Sequence, residues 1–184
     1  AMIADVADRW VIDADPNRIE LLWRRMYSSG YALRPDPTLV GVMSGIEMAC
    51  WDIIGKDAGK PVYDLLGGRV HERIRTYTYL YPADGRPDVY TDPAQAAEQA
   101  AFDVARGVTA VQFDPAGPYT AFDGHQPSLE DIERSVAITG AIREAVGSRA
   151  DLLFGTHGQF TAAGAIRLAQ RLEPSDPLWF EEPT

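Results

Sequence analysis

The spacing of apolar positions changes near residue 72. Ahead of that point apolar residues recur at helical intervals. Ile19, Leu22, Trp23 and Met26 lie at i, i+3, i+4 and i+7, one stripe of an amphipathic helix. Asp15-Pro16 precedes the stripe and predicts an N-cap with proline in the first turn. A second stripe of Val42, Met43, Ile46, Ala49, Cys50 and Ile53 predicts a helix from about Val42 to Lys56. Pro61 and Gly67-Gly68 bracket a short apolar piece. From about residue 73, short apolar runs alternate with helical stripes. RIRTYTYL (73–80) is β-branched and aromatic and predicts a strand. Asp92-Pro93 predicts the start of an alanine-rich helix ending near Gly107. Strands are predicted at Ala110–Asp114, Asp151–Gly155 and Leu178–Glu181. Between them, Ser128 with Asp131, and then Thr161, open helices ending near Gly147 and Leu172. The order is β-α-β-α-β-α-β, which implies parallel strands in an α/β fold. Two architectures satisfy it: part of a (β/α)-type barrel, or a small open doubly wound sheet. No G-x-G-x-x-G follows the first strand, which disfavours a dinucleotide site.

In parallel α/β folds chemistry collects at the carboxyl ends of strands. Here those ends read Gln112-Phe113-Asp114, Gly155-Thr156-His157-Gly158-Gln159 and Glu181-Glu182-Pro183. Side chains alternate along a strand, so Gln112 shares a face with Asp114, and Gly155 with His157. With one inward face throughout, Asp114, His157 and Glu181 converge. Two carboxylates and a histidine suit a hard divalent cation and a proton donor. Each residue also has a plain structural use: an Asp before Pro builds turns, and a His before Gly is common in loops. The 115–127 loop carries Tyr119, Asp123 and His125 and is long for a βα connection, which suits a binding loop or lid.

Composition narrows the partners. The net charge is −10, so nucleic acid and anionic membrane surfaces, which call for a basic face, are disfavoured. No apolar run approaches the roughly 18 residues of a spanning helix, so no membrane-spanning segment is expected. The single cysteine, Cys50, forms no internal disulfide, and no basic-then-apolar leader opens the sequence, so a cytoplasmic setting is expected.

Five segments together resemble one family. They are SGIEMACWDIIGKDAGKPVYDLLGG (44–68), RVHERIRTYTYLYP (69–82), TAVQFDPAGPY (109–119), DLLFGTHGQF (151–160) and DPLWFEEPT (176–184). They are similar to the mandelate racemase and muconate lactonizing enzyme group of the enolase superfamily, in particular the galactonate- and mannonate-type acid-sugar dehydratases. The resemblance implies an α+β capping domain, represented by its helical part at 1–72, and the first half of a (β/α)7β barrel, about four strands, at 73–184. It implies a Mg2+-dependent lyase that removes the proton alpha to a carboxylate and expels a β-hydroxyl from a small acid sugar. Racemase, epimerase or cycloisomerase chemistry, and an inactive relative acting only in association, stay open.

Carried across by residue, the resemblance makes Glu181 a metal ligand and His157 the acid. Gly155 stands where the family has an aspartate ligand, and Asp114 is expected to supply the missing carboxylate from the neighbouring strand. Gln112 and Asp114 hold positions where many members carry a lysine base. Gln159 replaces an arginine of galactonate-type members. Gln112, Gln159, Tyr119 and His125 are the candidate substrate contacts. Family chains are about twice as long, so an internal piece is expected, partnered as a homo-oligomer or with a complementary barrel half.

Overall fold

Side-chain caps set most of the helix starts in the computed structural model, which describes residues 2–28, 36–115 and 126–184. The chain divides into two units, Ala1–Arg73 and Ile74–Thr184. In the first unit α1 (Met2–Val6) runs into a π-helical turn, Ala7–Val11, and α2 (Ile19–Tyr27) follows. Asp15 does not cap α2. Its carboxylate accepts instead from the backbone N–H of Asn17 at 2.9 Å, a nearer donor, and α2 starts after Arg18. α3 (Pro37–Ala58) begins five residues before the predicted start, because Asp36 caps it by accepting from Leu39 N–H at 2.8 Å. Leu39 in its first turn carries the stripe of Val42, Met43 and Ile46 one turn further back. Gly59 ends it at φ 62°, a left-handed position suited to glycine. A short α4 (Val62–Leu65) follows. Val6, Leu22, Met26, Met43 and Cys50 form this unit's core.

α3 corrects one expectation. Residues 37–57 are long and apolar enough, by length and composition, to cross a membrane. Counting unbroken apolar runs misses this, because Glu47 and Asp52 interrupt a helix whose Gly, Ala, Met and Ile keep the average apolar.

The second unit alternates β1 (Thr78–Tyr79), α5 (Pro93–Ala105), β2 (Ala110–Phe113), α6 (Leu129–Val146), β3 (Asp151–Gly155), α7 (Ala162–Leu172) and β4 (Pro177–Glu181). The strands are parallel and lie in chain order. Asp92, Ser128 and Thr161 cap the three helices as expected. β1 is far shorter than the predicted 73–80. It has one neighbour in the sheet, and Arg75 ahead of it bonds through its side chain to Thr109 Oγ1 and, at 2.7 Å, to Asp151.

One face of the sheet is apolar apart from Thr78 at its edge. Leu80, Val111, Phe113, Leu152 and Phe154 pack with Ala96 and Ala100 of α5, Ile132, Ile138 and Ile142 of α6, and Leu168 and Leu172 of α7. All three crossover helices therefore cover the same face, which decides against a doubly wound sheet, where helices lie on both. The other face carries Tyr77, Tyr79, Gln112, Leu153, Gly155, Trp179 and Glu181. It is concave. Three strand spacings of ~4.8 Å would hold β1 and β4 about 14 Å apart in a flat sheet. Yet the Tyr77 and Trp179 rings meet edge to face at 5.6 Å. The four strands form an arc of a barrel wall.

Candidate active site

The carboxyl ends of β2, β3 and β4 place their side chains together. Gly155 pairs in register with Glu181, and Gln112 with Leu153. Because Gly155 presents no side chain, two groups from the neighbouring β2 and its end, Gln112 and Asp114, fill the space over it. A Cβ at residue 155 would lie 3.1 Å from Asp114 Oδ1 and 3.2 Å from Gln112 Nε2. Gln112 uses this opening to donate across β3 to Glu181 Oε2 at 3.1 Å. Asp114 uses it to reach His157, whose Nε2 lies 3.2 Å from Asp114 Oδ1.

The electrostatics follow from this crowding. Asp114 is mostly enclosed, with 16% of its side chain exposed. Burial pushes its carboxyl above the ordinary value. The Tyr79 hydroxyl and His157 pull it back, and the nearby Glu181 carboxylate pushes it up again. Tyr79 is itself pushed up, first by burial and then by its bond to Asp114. Among the described residues Asp114 Oδ1 is a buried oxygen that no well-aligned hydrogen-bond donor satisfies. A buried acceptor left this way is costly unless something else completes it.

That buried oxygen gives a test of fit for a divalent cation. Asp114 and Glu181 are hard oxygen donors at one mouth, as Mg2+ requires. Among the described residues no group of three His, Cys, Asp or Glu side chains is placed to hold a metal ion. The pair fits as part of a coordination shell, and further donors have to come from water, substrate or other residues.

The remaining candidates divide. Gln112 is buried and committed to Glu181. Gln159 is also buried, and its Nε2 has no hydrogen-bond partner among the described residues. Tyr119 and His125 lie outside the described residues. Tyr79 was not among the sequence candidates. The alternation of RIRTYTYL puts it on the inward face, opposite Gln112. The signal was present, but tyrosine in a strand reads first as β-propensity.

Asp114→Asn is expected to raise the stability of the metal-free protein at neutral pH by about 1 kcal/mol, as relief of a strained functional group commonly does. The folded-state pKa of Asp114 lies above its unfolded value. The penalty is therefore absent below the unfolded pKa of about 4, grows as pH rises through the folded pKa, and is complete above it. Urea melts of both proteins should diverge from acid toward pH 8. Parallel curves at every pH would show that the carboxylate carries no such penalty.

Sequence comparison places these residues among known proteins. Residues 95–184 match the family model described as enolase C-terminal domain-like. Residues 2–67 match that of the mandelate racemase/muconate lactonizing enzyme N-terminal domain. The chain belongs to the mandelate racemase/muconate lactonizing enzyme family. It is 34% identical to a D-gluconate dehydratase of Thermoproteus tenax over 95% of this chain and 33% of that one. It is 35% identical to a D-galactonate dehydratase of Ralstonia nicotianae over 100% of this chain and 44% of that one. A solved mandelate racemase/muconate lactonizing enzyme structure from Jannaschia sp. CCS1 superposes with a TM-score of 0.93 at 58% identity, over 99% of this chain and 48% of that one. The chain thus spans less than half the length of these family members. The superposition takes in the four parallel strands of this chain, including Gly155 at the end of β3.

Proposed function

We propose that the protein carrying this chain is a Mg2+-dependent sugar-acid dehydratase. The observation that carries the reading is the contact of His157 with Asp114 beside Glu181, all at the carboxyl ends of parallel strands. The D-gluconate and D-galactonate dehydratases among its relatives support the substrate class.

In this reading the C–H bond alpha to the substrate carboxylate breaks, its electrons form a double bond to the β-carbon, and the β-hydroxyl departs. The departing hydroxide takes a proton from His157 and leaves as water. The enol product then tautomerises to a 2-keto-3-deoxy acid. Hydroxide is a poor leaving group, and a positioned acid lowers that barrier. Asp114 holds the His157 ring by a direct contact. Gln112 holds Glu181, and Tyr79 holds Asp114. A divalent cation held by Glu181 and Asp114 would stabilise the negative charge that develops on the substrate carboxylate. The group that takes the alpha proton is not assigned to any described residue.

A second reading, a family member without this activity that works through association, is favoured by Gly155 and by the lack of a three-ligand group among the described residues. The test is a panel of gluconate, galactonate and mannonate with Mg2+, run on the whole protein as its host makes it, with 2-keto acid detected as its semicarbazone. Turnover of one acid, abolished by EDTA, is expected. A metal-loaded protein that turns over none of them leaves the second reading. The same reading has the protein act in the cytoplasm, as a homo-oligomer or with a complementary barrel half; the exposed Leu178 and Trp179 on β4 suit such a neighbour.

A further inference from the structure

Beyond the ladder, the exits of β3 and β4 are tied to each other. The last register pair is Gly155 with Glu181. One residue on, the Thr156 hydroxyl donates to the Glu181 carbonyl oxygen at 2.6 Å. The backbone N–H of Gly158 donates to the Glu182 carbonyl, and that of Phe160 to the Pro183 carbonyl at 3.1 Å. Thr156 has no exposed surface, so water does not compete for its hydroxyl.

Two residues within this tie are held in the left-handed region, His157 at φ 53° and Glu182 at φ 41°. That region costs an L-residue about 1–2 kcal/mol. Such backbone persists only where its surroundings fix it, and it gathers at functional sites. The strained His157 follows Thr156 directly, and the acceptor of the Thr156 hydroxyl is the backbone of Glu181 itself. The acid and the carboxylate come from different strands, and the sheet's own bonding ends at the Gly155–Glu181 pair, two residues before His157. The threonine hydroxyl carries the pairing one residue further, to the level where His157 leaves the strand.

We propose that Thr156 is a positioning residue that sets where His157 stands relative to Glu181, acting through the Glu181 backbone and touching neither substrate nor metal. The role of the two residues it positions rests on the dehydratase reading above. Valine has the shape of threonine without the donor; serine keeps the donor without the methyl group. The pair of variants therefore separates hydrogen bonding from packing.

The experiment measures three quantities on the whole protein and its Thr156→Val and Thr156→Ser variants. They are the Kd for Mn2+, the kcat and KM on the sugar acid turned over, and hydrogen–deuterium exchange of the peptide spanning 156–160. Thr156→Val should weaken Mn2+ about tenfold, as loss of a group supporting a ligand commonly does. It should lower kcat more than it changes KM and speed exchange. Thr156→Ser should return all three close to wild type. Wild-type values in the valine variant overturn the proposal. Equal impairment in both variants overturns it as well, because packing of the methyl group is then the cause. A wild-type protein that binds no Mn2+ and turns over no sugar acid fails the dehydratase reading instead. The exchange arm then decides the tie alone: faster exchange with valine, reversed by serine, supports it, and unchanged exchange overturns it.

Discussion

His157→Asn should lower kcat on the sugar acid by about 10²- to 10⁴-fold, the range expected when a positioned acid is removed. KM and Mn2+ affinity should change little. Asparagine is the informative replacement because of the backbone. Residue 157 sits at φ 53°, and asparagine tolerates that region better than most side chains. An alanine variant would mix loss of the acid with added backbone strain. Asparagine also keeps a polar group toward Asp114, in place of the imidazole that contacts it. Steady-state kinetics with circular dichroism as a check on folding decides it. A well-folded asparagine variant with kcat near wild type would mean that the proton comes from elsewhere.

Gly155→Asp should destabilise the protein by about 1–3 kcal/mol from overpacking alone. The new Cβ would sit 3.1 Å from Asp114 Oδ1 and 3.2 Å from Gln112 Nε2, so both must shift. Its carboxylate would add a third negative charge beside Asp114 and Glu181, which raises the cost further. The backbone is not the obstacle, because Gly155 is absent from the positive-φ residues. Removing the competing carboxylate in a Gly155→Asp, Asp114→Ala double variant should recover most of the stability and bring back Mg2+-dependent protection against heat. Two residues sharing one small volume are expected to couple strongly. Thermal melts with and without Mg2+ on the two single variants and the double give the coupling. Simple additivity would show that Asp114 and the side chain absent at residue 155 do not occupy equivalent space.

Much of this arrangement could be read from the chain. The caps at Asp92, Ser128 and Thr161 were legible because each is a short-range contact between a side chain and a nearby N–H. Their failure at Asp15 has the same origin, since Asn17 offers a closer donor within the same segment. Propensity overstates the length of β1 because it describes the residue and not its neighbours, and an edge strand has a partner on one side only. In the site, alternation puts Asp114 and Glu181 on one face from sequence alone. That Asp114 reaches His157 depends on the empty volume at Gly155, a packing fact that pattern does not carry. The bond from Gln112 to Glu181 spans 69 positions along the chain, and only the register of three strands reveals it. Tyr79 was hidden differently. Its side chain suits a strand so well that its contact with a carboxylate left no separate mark.

The meeting of Tyr77 and Trp179 across the concave face also bears on how the protein is made. The bend of the sheet is secured by Tyr77, the residue just ahead of β1, and Trp179 of β4. Synthesis delivers the earlier strands first, and domains commonly fold in that order. Once β4 has left the ribosome, the nascent chain holds what it needs to set its own curvature. Any later strand then adds to a template whose angle is already fixed.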